Sequence, residues 1–144
     1  MTQATLLYTV ENHIAAFTIN REANRNSINR EVIDLFNRYL DAAEKNPEVR
    51  VIMITGAGEK AFCSGADLAD MKSGGDIDEQ NPVTRYADLL KRIVKFPKPT
   101  VAKINGYCLA GGMGFMLACD IVVARDHTQF GTPEVNVGLF PIPI

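Results

Sequence analysis

Tryptophan is absent from this 144-residue chain, and histidine and cysteine are scarce, with two and three residues. Cys63, Cys108 and Cys119 are odd in number and show no C-x-x-C spacing. A disulfide framework is therefore not expected, and we predict small, buried, reduced thiols. His13 and His127 have no cysteine or carboxylate at metal-ligand spacing, so no metal site is predicted.

Long runs of one charge or of apolar residues are also missing. The 15 basic and 17 acidic residues are well mixed and give a net charge of -2, which argues against nucleic acid or a membrane surface as a partner. Met1 leads into polar residues, so we expect no secretory signal and a cytoplasmic protein. A hydrophobic content of 47% in one chain of this length predicts a single domain with a real core.

The hydrophobic pattern alternates between strands and helices, which indicates an α/β fold. A hairpin is expected over 6–19, with its turn at Glu11 and Asn12. Asn29 and Asn81 are expected helix caps. Further strands are expected at 49–55, 100–105, 121–124 and 129–131, and the strand at 49–55 is expected to be covered on both faces. Helices are expected from Asn29 to Asn46, over 67–72, from Asn81 to Pro97 and after Gly112. A mobile segment is expected at 73–80. The resulting order is β-β-α-β-α-β-α-β.

The most distinctive stretch is 104–120, which holds four glycines in nine residues between an extended run and an apolar one. A glycine-rich turn that enters a buried helix presents free N–H groups at the positive end of the helix dipole. Such a turn can hold a negative oxygen. The glycines could equally serve close helix packing. The stretch alone leaves both interpretations open.

Three common active-site motifs do not fit this sequence. Gly56-Ala57-Gly58 follows a strand, but Ala61 stands where a dinucleotide-binding loop has its third glycine. Lys60 is followed by Ala61, not by the Ser or Thr of a P-loop. Ser64 lacks the G-x-S-x-G elbow of a hydrolase nucleophile. The sequence therefore favours neither a dinucleotide-binding site, nor a P-loop, nor a hydrolase nucleophile.

Two backbone loops and one carboxylate remain as candidates. The loops around Gly65-Ala66 and Gly111-Gly112 each follow an extended run and enter a helix. If they converge, their N–H groups form an oxyanion hole, which needs a proton-transfer group nearby. Glu134 follows Pro133 among apolar residues, and partial burial would suit a carboxyl group to acid–base work. The alternative for Glu134 is a solvated loop carboxylate.

Four ordered stretches, at 21–29, 61–68, 98–112 and 130–139, resemble motifs of the crotonase superfamily, the enoyl-CoA hydratase/isomerase family. Residues 61–68, AFCSGADL, are similar to its A-F-x-x-G-A-D-[IL] signature. Residues 98–112 resemble its P-x-[IV]-A-x-[IV]-x-G-x-[AC]-x-G-G-G segment. Residues 130–139 are similar to F-x-x-P-E-x-x-x-G-[LI], and 21–29 resemble its early CoA-contacting loop. Together these matches favour the oxyanion-hole interpretation over simple packing.

The resemblance implies a crotonase-like spiral of repeated β-β-α units, acyl-CoA substrates and a homotrimer or dimer of trimers. Coenzyme A would be part of the thioester substrate, with no cofactor bound permanently. The N–H groups of Ala66 and Gly111 would hold the thioester oxygen, and Glu134 would transfer a proton. The implied substrate-binding residues are Ala23, Asn24, Arg25, Ser27, Ser64, Gly65, Ala66, Asp67, Leu68, Gly112 and Gly114.

Two features depart from the family. The second catalytic glutamate of the hydratases falls at Gly114, which gives weight to a Δ3,Δ2-enoyl-CoA isomerase that uses one carboxylate. A non-catalytic CoA-thioester-binding relative is the other alternative. The chain is also short, which predicts an N-terminal core (1–144) without the family's C-terminal helices. Residues 137–144 are an apolar tail with two prolines, and the other expectation is that this tail packs on a partner.

Overall fold

Within residues 4–71 and 81–138, which a computed structural model describes, eight strands and four α-helices follow one another along the chain. The strands are β1 Leu6–Glu11, β2 Ile14–Ile19, β3 Val51–Gly56, β4 Ala61–Cys63, β5 Thr100–Ile104, β6 Tyr107–Leu109, β7 Ile121–Ala124 and β8 Phe130–Gly131. The helices are α1 Arg30–Lys45, α2 Leu68–Met71, α3 Pro82–Val94 and α4 Gly111–Ala118, with 3-10 turns at Glu22–Asn24 and Pro133–Val137. The α/β class expected from the sequence is confirmed.

The strands form two sheets. The larger has the order β1-β2-β3-β5-β7, and the smaller has β4-β6-β8. All neighbouring pairs are parallel except β1 and β2. After the hairpin, each unit places its first strand in the larger sheet and its second in the smaller one, and then forms helix. This confirms the spiral of β-β-α units that the resemblance implies.

The residue pattern alone missed the second strand of two of these units. β4 and β6 have only three residues each, and Ser64-Gly65 and Gly106 flank them. The residues of β4 (AFC) and of β6 (YCL) are all apolar, so neither shows the alternation of apolar and polar residues that indicates a strand. Its place is decided by pairing with neighbours that come from distant parts of the chain.

The hairpin turn lies one residue later than expected. Glu11 belongs to β1 and pairs with Ile14 of β2, so the two-residue turn is Asn12-His13. Both turn residues have positive φ, of 49° and 66°. This is the backbone of a type I′ turn, whose twist matches that of the flanking strands.

Both expected helix caps are confirmed. The Asn29 side chain accepts a hydrogen bond from the N–H of Val32, and that of Asn81 accepts one from Val83, each at 2.9 Å. Helix α1 ends at Lys45, before Pro47, as Pro47 predicts. Helix α4 begins at Gly111 and not after Gly112.

Strand β3 and helix α2 differ from what the sequence predicts. Strand β3 was expected to be covered on both faces, but only one face is fully buried and the other is half-buried. The short helix α2 is described only over Leu68–Met71. The predicted mobile segment 73–80 and the tail 139–144 lie outside the described residues. No helix in the described chain is long and apolar enough to cross a membrane.

An aromatic cluster joins the sheet to three helices. Phe17 of β2 lies 5.5 Å from Phe36 of α1, measured between ring centroids. Phe36 stacks on Phe115 of α4 at 4.8 Å, and Tyr86 of α3 meets Phe115 edge-on at 5.2 Å. All four rings are buried. The cluster therefore fixes α4, and the turn that begins it, against the rest of the core.

Candidate active site

The loops that follow β4 and β6 meet backbone to backbone. A Cβ atom added to Gly65 would lie 2.6 Å from the Cβ of Ala110 and 3.1 Å from the amide nitrogen of Gly111. Gly65 also has a φ of +98°, which a residue with a side chain rarely adopts. Only glycine permits this approach. The convergence expected for the two loops is therefore present.

The N–H group of Ala66 is left open by its position beside Ile28. The two residues form a parallel bridge, in which Ile28 donates to the carbonyl of Gly65 and accepts from the N–H of Asp67, both at 2.8 Å. The middle residue of such a bridge points its own N–H away from the partner. Ala66 is exposed, and within the described residues its N–H donates no hydrogen bond.

A second open donor lies at the start of α4. The first helical N–H groups have no partner within a helix, and no side chain caps this one. The N–H of Gly111 donates no hydrogen bond among the described residues, whereas Met113 N–H donates to the carbonyl of Ala110 at 2.9 Å. The helix dipole adds partial positive charge at this point.

Ala110 holds the turn in an unusual conformation. Its φ of 50° and ψ of -129° lie in a region that alanine rarely occupies. Such a residue costs on the order of 1–3 kcal/mol and persists only where its surroundings impose it. The N–H of Ala110 donates to the Gly131 carbonyl of β8 at 2.9 Å, which ties the turn to the neighbouring strand.

The first turn of α4 rests directly on β4. A Cβ atom on Gly112 would lie 2.4 Å from the carbonyl oxygen of Cys63, a distance that real side chains do not reach. The contact fixes the spacing between α4 and the strand that leads into Ala66. Burial raises the pKa of the Cys63 thiol to about 12, so this sulfur stays protonated and unreactive.

An ion pair between Arg21 and Asp67 connects the Ala66 loop to the loop at 21–29. The Arg21 guanidinium donates to the Asp67 carboxylate at 2.8 Å and to the carbonyl and hydroxyl oxygens of Ser27 at 2.7 and 2.8 Å. Both charged side chains are largely buried. The Arg21 guanidinium lowers the pKa of Asp67 below its ordinary value of 3.8. The ion pair thus joins the loop at 21–29 to the loop at 64–67.

Asn26 completes the same connection and was not singled out from the sequence. It is fully buried, and its side chain donates to the carbonyls of Ala57 and Ala61 at 3.0 and 2.7 Å. Its own oxygen accepts from the N–H of Arg21 at 3.0 Å. Asn26 and the preceding residue, Arg25, both have positive φ. Asn26 therefore anchors the predicted CoA-contacting loop to the ends of β3 and β4.

Glu134 lies just past the strand that pairs with β6. It follows Pro133 at the start of the last 3-10 turn and is half-buried. Its Oε2 atom is shielded from water and has no hydrogen-bond partner among the described residues. This oxygen is therefore not engaged by any other group of the described chain. Glu134 is thus partly buried and not the fully solvated loop carboxylate that the sequence left as the alternative.

The predicted substrate-binding residues divide by exposure. Ala23, Asn24, Arg25 and Ala66 are exposed, Ser64 and Asp67 are half-buried, and Ser27, Gly65, Gly112 and Gly114 are buried. Leu68 begins α2, and its side chain is outside the described set. The Ser27 hydroxyl already serves Arg21 and Asp67. Its role as a substrate contact stays a prediction.

The sequence pattern missed four residues that shape the site: Arg21, Asn26, Ile28 and Tyr86. Arg21 and Asn26 lie in a loop that has no period, and Tyr86 belongs to the apolar stripe of α3. Only their partners, far away in the sequence, reveal their roles. No group of three or more potential metal ligands occurs among the described residues.

We expect Gly112→Ala to be destabilising and Gly111→Ala to be tolerated. The added methyl at 112 meets the Cys63 carbonyl, and such overpacking costs roughly 1–3 kcal/mol. At 111 the nearest atoms, on Ile28, Tyr86 and Gly65, are 3.4–3.5 Å away, which is ordinary contact. Thermal unfolding of both variants beside the parent measures this. Equal melting temperatures for the two variants would contradict the close approach at Gly112.

We expect Asp67→Asn to lower stability by about 1–3 kcal/mol at neutral pH, because it removes a hydrogen-bonded charge pair. Since the folded-state pKa lies below the ordinary value of 3.8, the stabilisation is present above that value and is lost as the pH falls through the folded pKa. The gap between parent and variant should therefore close in acid. Asp88→Asn, on an exposed Asp88–Lys91 pair, is the control. A gap independent of pH would contradict this assignment.

Residues 9–143 match the family model described as enoyl-CoA hydratase/isomerase. The chain is 34% identical over 131 residues to a short-chain-enoyl-CoA hydratase of Clostridium acetobutylicum, covering 91% of this chain and 50% of that protein. The chain thus spans about half the length of the curated relatives it matches.

Solved structures agree with the sequence relatives. An enoyl-CoA hydratase from Bacillus anthracis superposes with a TM-score of 0.88 at 29% identity, over 95% of this chain and 54% of that one. An enoyl-CoA hydratase/isomerase from Xanthobacter autotrophicus Py2 gives 0.86 at 35% identity, over 95% and 52%. With its sequence, spiral fold and converging loops in agreement, this chain belongs to the enoyl-CoA hydratase/isomerase family of the crotonase superfamily.

Proposed function

We propose that this chain carries the core of an acyl-CoA-processing enzyme of the enoyl-CoA hydratase/isomerase type. In it, the N–H groups of Ala66 and Gly111 bind the thioester oxygen. The observation that carries the proposal is that two unpartnered N–H groups lie on loops whose backbones are in contact. Family membership supports the substrate class.

The chemistry follows from these donors. Removal of a proton next to a thioester carbonyl places negative charge on the carbonyl oxygen. Fixed N–H donors stabilise that charge more than they stabilise the neutral substrate, and loss of one donor typically costs ~10²–10³ in rate. The α4 dipole adds to the donor at Gly111.

The CoA part of the substrate would lie along the loops that border Ala66. Ala23, Asn24 and Arg25 are exposed, and the Arg25 carbonyl accepts a hydrogen bond from the N–H of Ser64 at 3.1 Å. The two predicted CoA-binding loops are therefore adjacent. Arg25 supplies an exposed positive charge for phosphate groups. Coenzyme A enters as part of the substrate and not as a bound cofactor.

Glu134 is the proposed proton-transfer group. Its shielded, unpartnered Oε2 supports this role, as does the tie between Gly131 of β8 and the Ala110 turn. Gly114 is buried and has no side chain to act as a second carboxylate. This favours Δ3,Δ2-isomerase chemistry, in which one carboxylate shuttles a proton, over water addition, which in hydratases uses two.

We expect Glu134→Gln to abolish turnover of acyl-CoA substrates and to leave their binding intact, because the amide keeps the shape but accepts no proton. Crotonyl-CoA tests hydration and a 3-enoyl-CoA tests isomerisation, each followed by absorbance. Glu59→Gln, at a carboxylate whose side chain is 85% exposed, is the matched control and should retain activity.

Three outcomes separate the alternatives. Turnover of the 3-enoyl-CoA alone supports the isomerase. Binding of both thioesters without any absorbance change supports a non-catalytic CoA-thioester-binding relative. A Glu134→Gln variant as active as the parent on every substrate would show that another group transfers the proton.

We also propose that the full-length protein is a homotrimer or a dimer of trimers. Support comes from the exposed apolar side chains of β7 and α4: Ile121, Val122, Val123 and Leu117 are 44–59% exposed. Ile121 and Val123 lie on the same face of β7, and exposed apolar side chains that share a face are typical of interaction surfaces. Sedimentation should give three or six chains, and Val123→Lys should shift the distribution to smaller species. A monomeric parent would contradict the proposal.

The state of the cysteines supports a cytoplasmic location. Cys63, Cys108 and Cys119 are free thiols, and burial raises the pKa of each to about 12. Free thiols are typical of a reducing compartment.

A further inference from the structure

Tyr86 connects helix α3 to the glycine turn of the proposed oxyanion hole. Its side chain is buried, with 4% exposure, in a helix that is distant in sequence from both site loops. Its hydroxyl donates a hydrogen bond to the backbone carbonyl of Gly111. The proton transfer and CoA binding proposed above make no use of this group.

The turn needs support from outside because it has almost no side chains of its own. Ala110 contributes one methyl group, and Gly111 and Gly112 contribute none. Glycine backbone has more conformational freedom than any other residue. The N–H of Gly111 lies in the Ala110–Gly111 peptide and its carbonyl in the Gly111–Gly112 peptide, so the direction of the N–H relative to the carbonyl depends on the backbone rotation of Gly111. Contacts from the core must restrict that rotation.

The ring and the hydroxyl of Tyr86 supply two such contacts. The ring is packed edge-on against Phe115, and its Cε1 atom lies 3.4 Å from the point where a Cβ of Gly111 would be. The hydroxyl fixes the Gly111 carbonyl, which shares its peptide group with the N–H of Gly112. Tyr86 therefore contacts both ends of the first turn of α4.

The hydroxyl stays a donor under ordinary conditions. Burial raises the pKa of Tyr86 well above its ordinary value of 10.0, because the phenolate would be desolvated. A protonated hydroxyl can donate to a carbonyl, whereas a phenolate cannot.

We propose that Tyr86 is a positioning residue: it holds the Gly111 carbonyl and packs beside Gly111, which restricts the backbone rotation of this glycine and so directs its N–H at the thioester oxygen. This inference rests on the proposed function, since it gives Gly111 N–H a ligand. Tyr86 itself touches no substrate. Its effect is on the geometry of the donor, and therefore on the step in which charge develops on the oxygen.

The test compares Tyr86→Phe with Tyr39→Phe in the full-length protein. Tyr86→Phe keeps the ring and removes one hydrogen bond, so we expect kcat on the accepted enoyl-CoA to fall about tenfold with KM unchanged. Tyr39 is also partly buried and stacks on Tyr8 at 4.9 Å, but its hydroxyl has no hydrogen bond among the described residues. Tyr39→Phe should keep the parent kcat.

A spectroscopic measurement tests the contact without relying on turnover. The amide resonance of Gly112 should shift in Tyr86→Phe, because the hydroxyl polarises the peptide group that Gly112 shares with Gly111. It should not move in Tyr39→Phe. Melting temperatures of the two variants show whether loss of activity follows loss of stability.

The outcomes distinguish this inference from the proposed function. A tenfold loss in kcat with a shifted Gly112 resonance and an unchanged KM supports the positioning role. Parental kcat, or an unmoved Gly112 resonance, in Tyr86→Phe overturns that role alone. A parent protein that neither binds nor converts crotonyl-CoA or a 3-enoyl-CoA overturns the proposed function, and the role of Tyr86 with it.

Discussion

The backbone contact between Gly65 and the Ala110-Gly111 turn is the constraint on which the rest of the site depends. No side chain fits between the two loops at Gly65. The contact brings together the two loops that carry the open N–H groups of Ala66 and Gly111, although these loops are far apart in the chain. The spiral makes this possible, because the second strands of successive β-β-α units lie side by side in the smaller sheet. The loops that follow β4 and β6 are therefore neighbours.

The surrounding structure holds these loops with buried polar groups and not only with apolar packing. Arg21, Asp67, Ser27 and Asn26 connect the early loop to the Ala66 loop. On the other side, β8 and Tyr86 hold the Ala110-Gly111 turn. Buried polar networks of this kind are costly when incomplete, so they specify one geometry. The positive φ of Ala110 is maintained by the same contacts.

The resemblance and the residue pattern predicted different parts of the molecule. Periodicity located both long helices and their caps at Asn29 and Asn81, because a long amphipathic helix carries its own signal. It missed β4 and β6, which have three residues each. The motifs at 61–68 and 98–112 predicted the spiral fold through the family resemblance, and these two motifs contain β4 and β6.

The sequence by itself determined the long helices, the strands of the larger sheet, the family and the candidates Ala66, Gly111 and Glu134, because local pattern and motif both lie in the order of residues. Only the tertiary structure decided which N–H groups are left without a partner and which side chains support them. Tyr86 is an ordinary core residue in the pattern of α3. Its hydroxyl gains a partner 25 residues away only when α3 packs on α4. Long-range contacts of this kind leave no periodic trace in a single sequence.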